Sequence, residues 1–205
     1  MRLAARVLGP LTLALAVGAC SLSGALGGGG KAPASLLTLT PDAAPTGEFT
    51  RAANAGQSVT VSTPVVSKEL RTTRIPVRVS PTDVQYVTDA QWIDTPDRLF
   101  ANLVAETIRR TTNRVVLDPG MTGLDPGLIV SGELQEFGFD AGSGQVVVRF
   151  DGALSTAGGT RVETRRFEAT VPSDGSSTGV GPALNQAANK VAHDVAGWVG
   201  NRQAP

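Results

Sequence analysis

Leu128-Ile129-Val130-Ser131-Gly132-Glu133-Leu134-Gln135-Glu136-Phe137-Gly138-Phe139-Asp140, then Ala141-Gly142-Ser143-Gly144, then Gln145-Val146-Val147-Val148-Arg149-Phe150, is the stretch that decides the fold. Two long runs rich in Val, Leu, Ile and Phe flank four small residues, where glycine supplies the positive φ of a tight reversal. Arg161 to Val171 repeats the pattern after a second small-residue turn, Ala157-Gly158-Gly159-Thr160. Three successive strands are predicted: Leu128 to Asp140, Gln145 to Thr156 and Arg161 to Val171. Beyond a polar loop, Pro172 to Gly179, a helix is expected from about Pro182. There Leu184, Ala188, Val191, Val195, Trp198 and Val199 recur at three- and four-residue steps. Gln186, Asn189, Lys190 and His193 are assigned to its other side.

Upstream, the signals are shorter. Leu36 to Thr40 is a strand candidate stopped by Pro41, and Gln57 to Thr63 alternates Val59 and Val61 with Ser and Thr. Pro64 to Leu70 is ambiguous, with room for one helical turn. Arg74 to Val79 places Ile75, Val77 and Val79 on one face, and Pro76 demotes it to an edge or bulged strand. Val84 to Trp92 is a further strand. A helix follows, with Thr95 as cap, Pro96 in the first helical position and Asp97 at the positive end of the dipole. Its apolar stripe, Leu99, Phe100, Leu103, Val104 and Ile108, ends near Arg109-Arg110 and Asn113. Val115 to Leu117 is a short strand, and strand, helix and strand in this order point to a parallel crossover unit. The expected fold class is α/β: a single-domain sandwich of a mixed, largely antiparallel sheet of about seven strands with two main amphipathic helices.

The first 20 residues are of another kind. Arg2 and Arg6 precede an apolar run from Val7 to Val17, interrupted only by Gly9, Pro10 and Thr12, and then Val17-Gly18-Ala19-Cys20. This is a signal peptide ending in a bacterial lipobox. Gly18 and Ala19 are small, as a signal peptidase gripping extended backbone requires, and the Cys20 thiol is the group that takes a diacylglycerol. A membrane-spanning alternative fails on length, because about 20 residues are needed to cross the hydrocarbon core. Buried acyl carbons contribute about 0.8 kcal/mol each, and two or more chains hold firmly where one does not. A covalent diacylglycerol and an N-acyl chain on Cys20 are therefore expected, and no other cofactor. Ser21 stands where an Asp commonly retains lipoproteins in the inner membrane, which favours the outer membrane, periplasmic face. The expected organisation is a signal peptide over 1–19, acylated Cys20 and a flexible tether over 20–35, one domain over 36–200, and a tail over 201–205. The tether contains Gly27-Gly28-Gly29-Gly30 and reaches roughly 20 Å by the scaling for glycine-rich chains.

Composition closes off several functions. The 18 basic and 18 acidic residues balance, and loss of Arg2 and Arg6 leaves 16 against 18, a net of −2, with no basic footprint for nucleic acid. One Cys and one His cannot make a disulfide or a zinc cluster. Gly30-Lys31 is no phosphate loop, since Ala25 and Ala32 stand where that pattern needs Gly and Ser or Thr.

Arg71-Thr72-Thr73-Arg74, Val84-Gln85-Tyr86-Val87-Thr88-Asp89-Ala90-Gln91-Trp92 and the Leu-rich helix resemble the ABC-type transport auxiliary lipoproteins, also called PqiC-like. So do Leu134-Gln135-Glu136-Phe137 and Ala183-Leu184-Asn185-Gln186-Ala187 leading to Gly197-Trp198-Val199. The similarity runs from about Leu36 to Val199. It implies an accessory to an MCE-type ABC system that moves phospholipids or other hydrophobic molecules between two membranes. Its partners would be an MCE-domain periplasmic protein with a permease and an ATPase, and a homo-oligomer would fit a ring-shaped MCE partner. The alternative is a structural or assembly lipoprotein of an outer-membrane complex without an ABC partner.

Tyr86 and Trp92, six apart, would share one face of a regular strand. They are read either as a partner or lipid surface or as core beneath a helix, with core favoured. Gly175-Ser176-Ser177-Thr178-Gly179 formally matches the nucleophile elbow of serine hydrolases. However, no acid lies between Ser177 and the sole histidine, His193, as the α/β-hydrolase order would need. Asp94, Asp97 and Glu106 are explained by helix-start chemistry and an exposed helix face. Arg161, Arg165 and Arg166 are read either as a face for an anionic partner or lipid headgroups or, with Glu163 and Glu168 nearby, as ordinary cross-strand pairs, the pairing being preferred. The chain is read as a non-enzyme.

Overall fold

The computed structural model describes residues 35–44, 51–53, 57–120, 127–156, 159 and 161–201. Cys20, the lipobox and the tether lie outside the described residues. The elements in chain order are β1 (Ser58–Val61), β2 (Val65–Val66), a 3-10 turn (Lys68–Leu70), β3 (Arg74–Ser80), β4 (Asp83–Gln91), α1 (Pro96–Thr111), β5 (Val115–Leu117), β6 (Leu128–Asp140), β7 (Gln145–Thr156), β8 (Val162–Pro172) and α2 (Val180–Gly200). The class is α/β, with eight strands among the described residues in one mixed sheet.

The long central strand organises everything. β7 pairs antiparallel along the whole of β6, from Leu128↔Thr156 to Asp140↔Gln145, and β8 continues antiparallel beyond β7. One edge of β6 is thus filled, and β1, β2 and β3 share the other edge in series, all parallel to it. The pairing runs from Val59↔Leu128 through Val66↔Leu134 to Arg78↔Asp140. β5 then adds parallel to β1 and β4 antiparallel to β3. The aromatic residues of β7 and β8 share one face of the sheet. Phe150 of β7 meets Phe100 of α1 at 5.2 Å and Phe167 of β8 at 6.3 Å between ring centroids, and Phe167 meets Trp198 of α2 at 5.4 Å. This aromatic chain ties both helices to one face of the sheet. Gly152, opposite Gly132 on β6, makes room for it: a Cβ there would come within 2.9 Å of the Phe150 ring and 3.4 Å of Trp198.

Several expectations need correction. β4, α1 and β5 are not a parallel crossover unit. β4 runs antiparallel to β3, whereas β3, β6, β1 and β5 all run the same way, so β4 and β5 oppose each other at the two ends of that path. The parallel partner of β5 is β1, and everything from β2 to α1 is inserted between them. Pro76 bulges its strand, with a register shift between Arg74 and Pro76, but β3 is no edge: it pairs on both sides. Proline is tolerated because its strand meets β6 only at Val77 and Arg78. At Gly138 the approach of β3 is so close that a Cβ would lie 2.6 Å from the Pro76 carbonyl oxygen. Leu36 to Thr40 is not a strand but an extended segment with a single parallel bridge, Leu37↔Trp92. Thr95 precedes α1 yet makes no side-chain cap bond; instead Asp94 Oδ1 accepts the Thr95 N–H at 2.7 Å.

Candidate functional site

Trp92, just past the end of β4, faces inward. It is 1% exposed and packs against Phe137 of β6 at 5.6 Å between centroids, while its backbone N–H donates to the Thr73 carbonyl. Tyr86 does something else. It is half-buried, its hydroxyl lies 3.5 Å from the Glu69 carbonyl oxygen, and the Arg74 guanidinium stands 4.1 Å above its ring. The two aromatics do not share an environment, because period-two alternation is broken between them. Tyr86 pairs with Pro76 and Gln91 with Arg74, so five steps on β4 answer two on β3, and Asp89 in that bulge has φ of 58°.

Asn189 and His193, assigned by the pattern to the outer side of α2, join Asn185 in a structural role. Asn185, Asn189 and His193 recur every four residues along one flank of α2 and hold the segment Leu37 to Asp42 as a strap. Thr40 N–H donates to Asn185 Oδ1 at 2.8 Å and Asp42 N–H to Asn189 Oδ1 at 3.0 Å. Asn189 Nδ2 donates to the carbonyls of Thr40 and Asn185, each at 2.9 Å. His193 Nε2 lies 2.7 Å from Asp42 Oδ1. Asn189 is 1% exposed, which corrects its assignment to the outer side of the helix. Its amide meets the bonding needs of the strap backbone it buries. The signal was the four-residue recurrence of Asn, Asn and His beside the apolar stripe.

The opposite face of β6 to β8 is an ion-pair ladder. Arg149 joins Glu136 and Glu168 at 2.6 Å each, and Arg166 grips Asp151 with two bonds of 2.6 Å. The Arg166 hydrogen bond holds Asp151 below its ordinary pKa, and the Arg149 bond does the same for Glu168. Arg161 pairs with Glu163, and Arg165 lies 5.0 Å from the Phe167 ring. On α1, burial pushes the Glu106 carboxyl up, but hydrogen bonds from Arg110 and Arg109 outweigh it and leave the pKa lowered.

Ser177 sits in a loop built to start α2. Ser176 N–H and Oγ–H both donate to Asp174 Oδ1, at 3.0 and 2.8 Å, and Ser176 Oγ accepts the Gly179 N–H at 3.0 Å. Those backbone and side-chain bonds to Ser176 lower the Asp174 pKa. His193 lies 13 positions beyond Val180, where α2 begins, on the order of 20 Å along the helix, and is engaged with Asp42. Among the described residues, no three His, Cys, Asp or Glu side chains are grouped to hold a metal, and no helix is long and apolar enough to cross a membrane.

In fold, the chain resembles the crystal structure of protein XCC0632 from Xanthomonas campestris, with a TM-score of 0.63 at 20% identity over 83% of this chain and 94% of that one. A crystal structure of an uncharacterised protein gives 0.57 at 12% identity, over 74% of this chain and 94% of that one. The PelC dodecamer from Paraburkholderia phytofirmans gives 0.43 at 18% identity, over 76% and 96%, a likeness too partial to carry an argument. No curated protein matches the sequence. Residues 37–196, from the strap to the last turns of α2, match the family described as ABC-type transport auxiliary lipoprotein component, and the chain belongs to that family.

Proposed function

We propose that this protein is the outer-membrane lipoprotein of an MCE-type ABC transport system that moves phospholipids or other hydrophobic molecules between the two membranes. It acts by docking the MCE-domain partner at the membrane, not by catalysis. The family match over residues 37–196 carries this reading, and the lipobox ending in Cys20 supports it from the other end of the chain. Acyl chains on Cys20 hold the molecule to the periplasmic face, and the residues up to Ser35 act as the leash. The distance of His193, well along α2 and engaged with Asp42, from the turn that holds Ser177 supports a non-catalytic reading.

The test is co-purification of the detergent-solubilised, acylated protein with the MCE-domain subunit encoded beside it. Recovery of that subunit, with its permease and ATPase, is expected. Repeated recovery of an outer-membrane assembly without any ABC component would replace this reading with that of an assembly lipoprotein.

A further inference from the structure

Five large hydrophobic side chains are conspicuously exposed among the described residues: Leu36, Val65, Val79, Ile93 and Val162. Two of them, Leu36 at 51% and Ile93 at 61%, belong to one place. Leu37 N–H donates to the Gln91 carbonyl and Ile93 N–H to the Leu37 carbonyl, each at 2.8 Å. The bridge between Leu37 and Trp92 turns Trp92 to the core, with Leu37 packed against that core. In extended chain the neighbouring residues project the other way, so Leu36 and Ile93 share the outward face with Gln91. Arg74 is the cross-strand partner of Gln91, and it stacks on Tyr86. Leu36, Ile93, Arg74 and Tyr86 thus form one outward patch of two aliphatic side chains, an aromatic ring and a cation. Exposed Arg71 and Arg98 lie on the adjoining loop and helix start; Asp94, 3.8 Å from Arg98, and Asp89 are the nearby acids.

We infer that this patch rests on the phospholipid headgroup layer and sets which way up the anchored domain stands. The composition suits that layer: aliphatic side chains reach past the headgroups, a tyrosine ring sits among them, and arginine meets phosphate. The occupant follows from where the leash is rooted. Leu36 is the second described residue, and 16 positions separate it from Cys20. Fully extended, that interval spans at most about 58 Å, and its glycine-rich average is nearer 20 Å. The lipid-linked end of the chain therefore holds this edge of the domain close to the bilayer. Val162, equally apolar and 59% exposed, lies at the start of β8, an edge strand that among the described residues pairs only with β7, and serves as the internal control.

The inference rests on acylation of Cys20, and the experiment separates the two. Cys20 is the sole cysteine, so acylation leaves Leu36→Cys, Ile93→Cys and Val162→Cys each with one free thiol for an environment-sensitive fluorophore. The full-length acylated variants are reconstituted into phosphatidylethanolamine and phosphatidylglycerol vesicles, with or without brominated lipid. Blue-shifted emission at Leu36 and Ile93, quenched about twofold by brominated lipid, is expected, with neither effect at Val162. Equal response, or none, at all three positions on protein that floats with the vesicles overturns the orientation. Failure to float, with label on the unsubstituted protein's Cys20, removes the anchor and the inference with it.

Discussion

Asn189 is the residue on which the strap depends most. One side-chain amide accepts from Asp42 and donates to Thr40 while itself buried, so its loss leaves backbone groups of the strap without partners. Asn189→Ala should destabilise the protein by about 1–3 kcal/mol in urea unfolding. Asn189→Asp, which cannot donate to Thr40 O, should be at least as damaging. The ladder makes a pH prediction. Asp151, Glu168, Asp174 and Glu106 all have lowered pKa values in the folded state. Their contribution is fully present above the unfolded carboxylate values near 4 and is lost as pH falls through the lower folded values. Thermal stability should thus be flat from pH 7 to about 5 and fall below about 4. Because these groups are exposed or half-exposed, high salt should flatten the fall. Ser177→Ala should change neither stability nor transport, since the contacts that start α2 run through Ser176 and Asp174.

At the scale of elements, the aromatic chain from Phe100 through Phe150 and Phe167 to Trp198 is what welds α1 and α2 to the sheet. Phe150→Ala, at its branch point, should cost about 3–5 kcal/mol, read as a lower urea midpoint. These elements were largely legible. The apolar runs and the glycine turns between them located β6, β7 and β8 within a residue or two, and the stripes of α1 and α2 showed their inward faces. Direction and adjacency were not legible, because a hydrophobic period carries neither. β4, α1 and β5 looked like a crossover unit, since nothing local reveals that the partner of Val115 to Leu117 is Ser58 to Thr60. The bulge around Asp89 was hidden too, so Tyr86 and Trp92 seemed to share a face. Asn189 was misplaced for a different reason: a polar residue on the flank of a stripe is assigned to water unless a backbone segment is known to come for it.

For the whole molecule, transport function should divide from folding at the N-terminus. Cys20→Ala should leave the described domain with an unchanged unfolding midpoint while the uncleaved precursor accumulates in the inner membrane, as fractionation would register. A metabolic palmitate analogue should label the wild type and not this variant. The arrangement around β6 bears also on how the chain becomes a domain at all. β1 meets β5 about 57 positions later, and β1, β2 and β3 find their shared parallel partner β6 only in residues that emerge from a secretion channel some 60 or more positions later. Until then, among the described residues, the hairpin of β3 and β4 is the piece of sheet that neighbouring sequence can close. The first half of a newly exported chain must therefore remain largely open polypeptide, and its collapse waits first for β5 and then for the long strand β6.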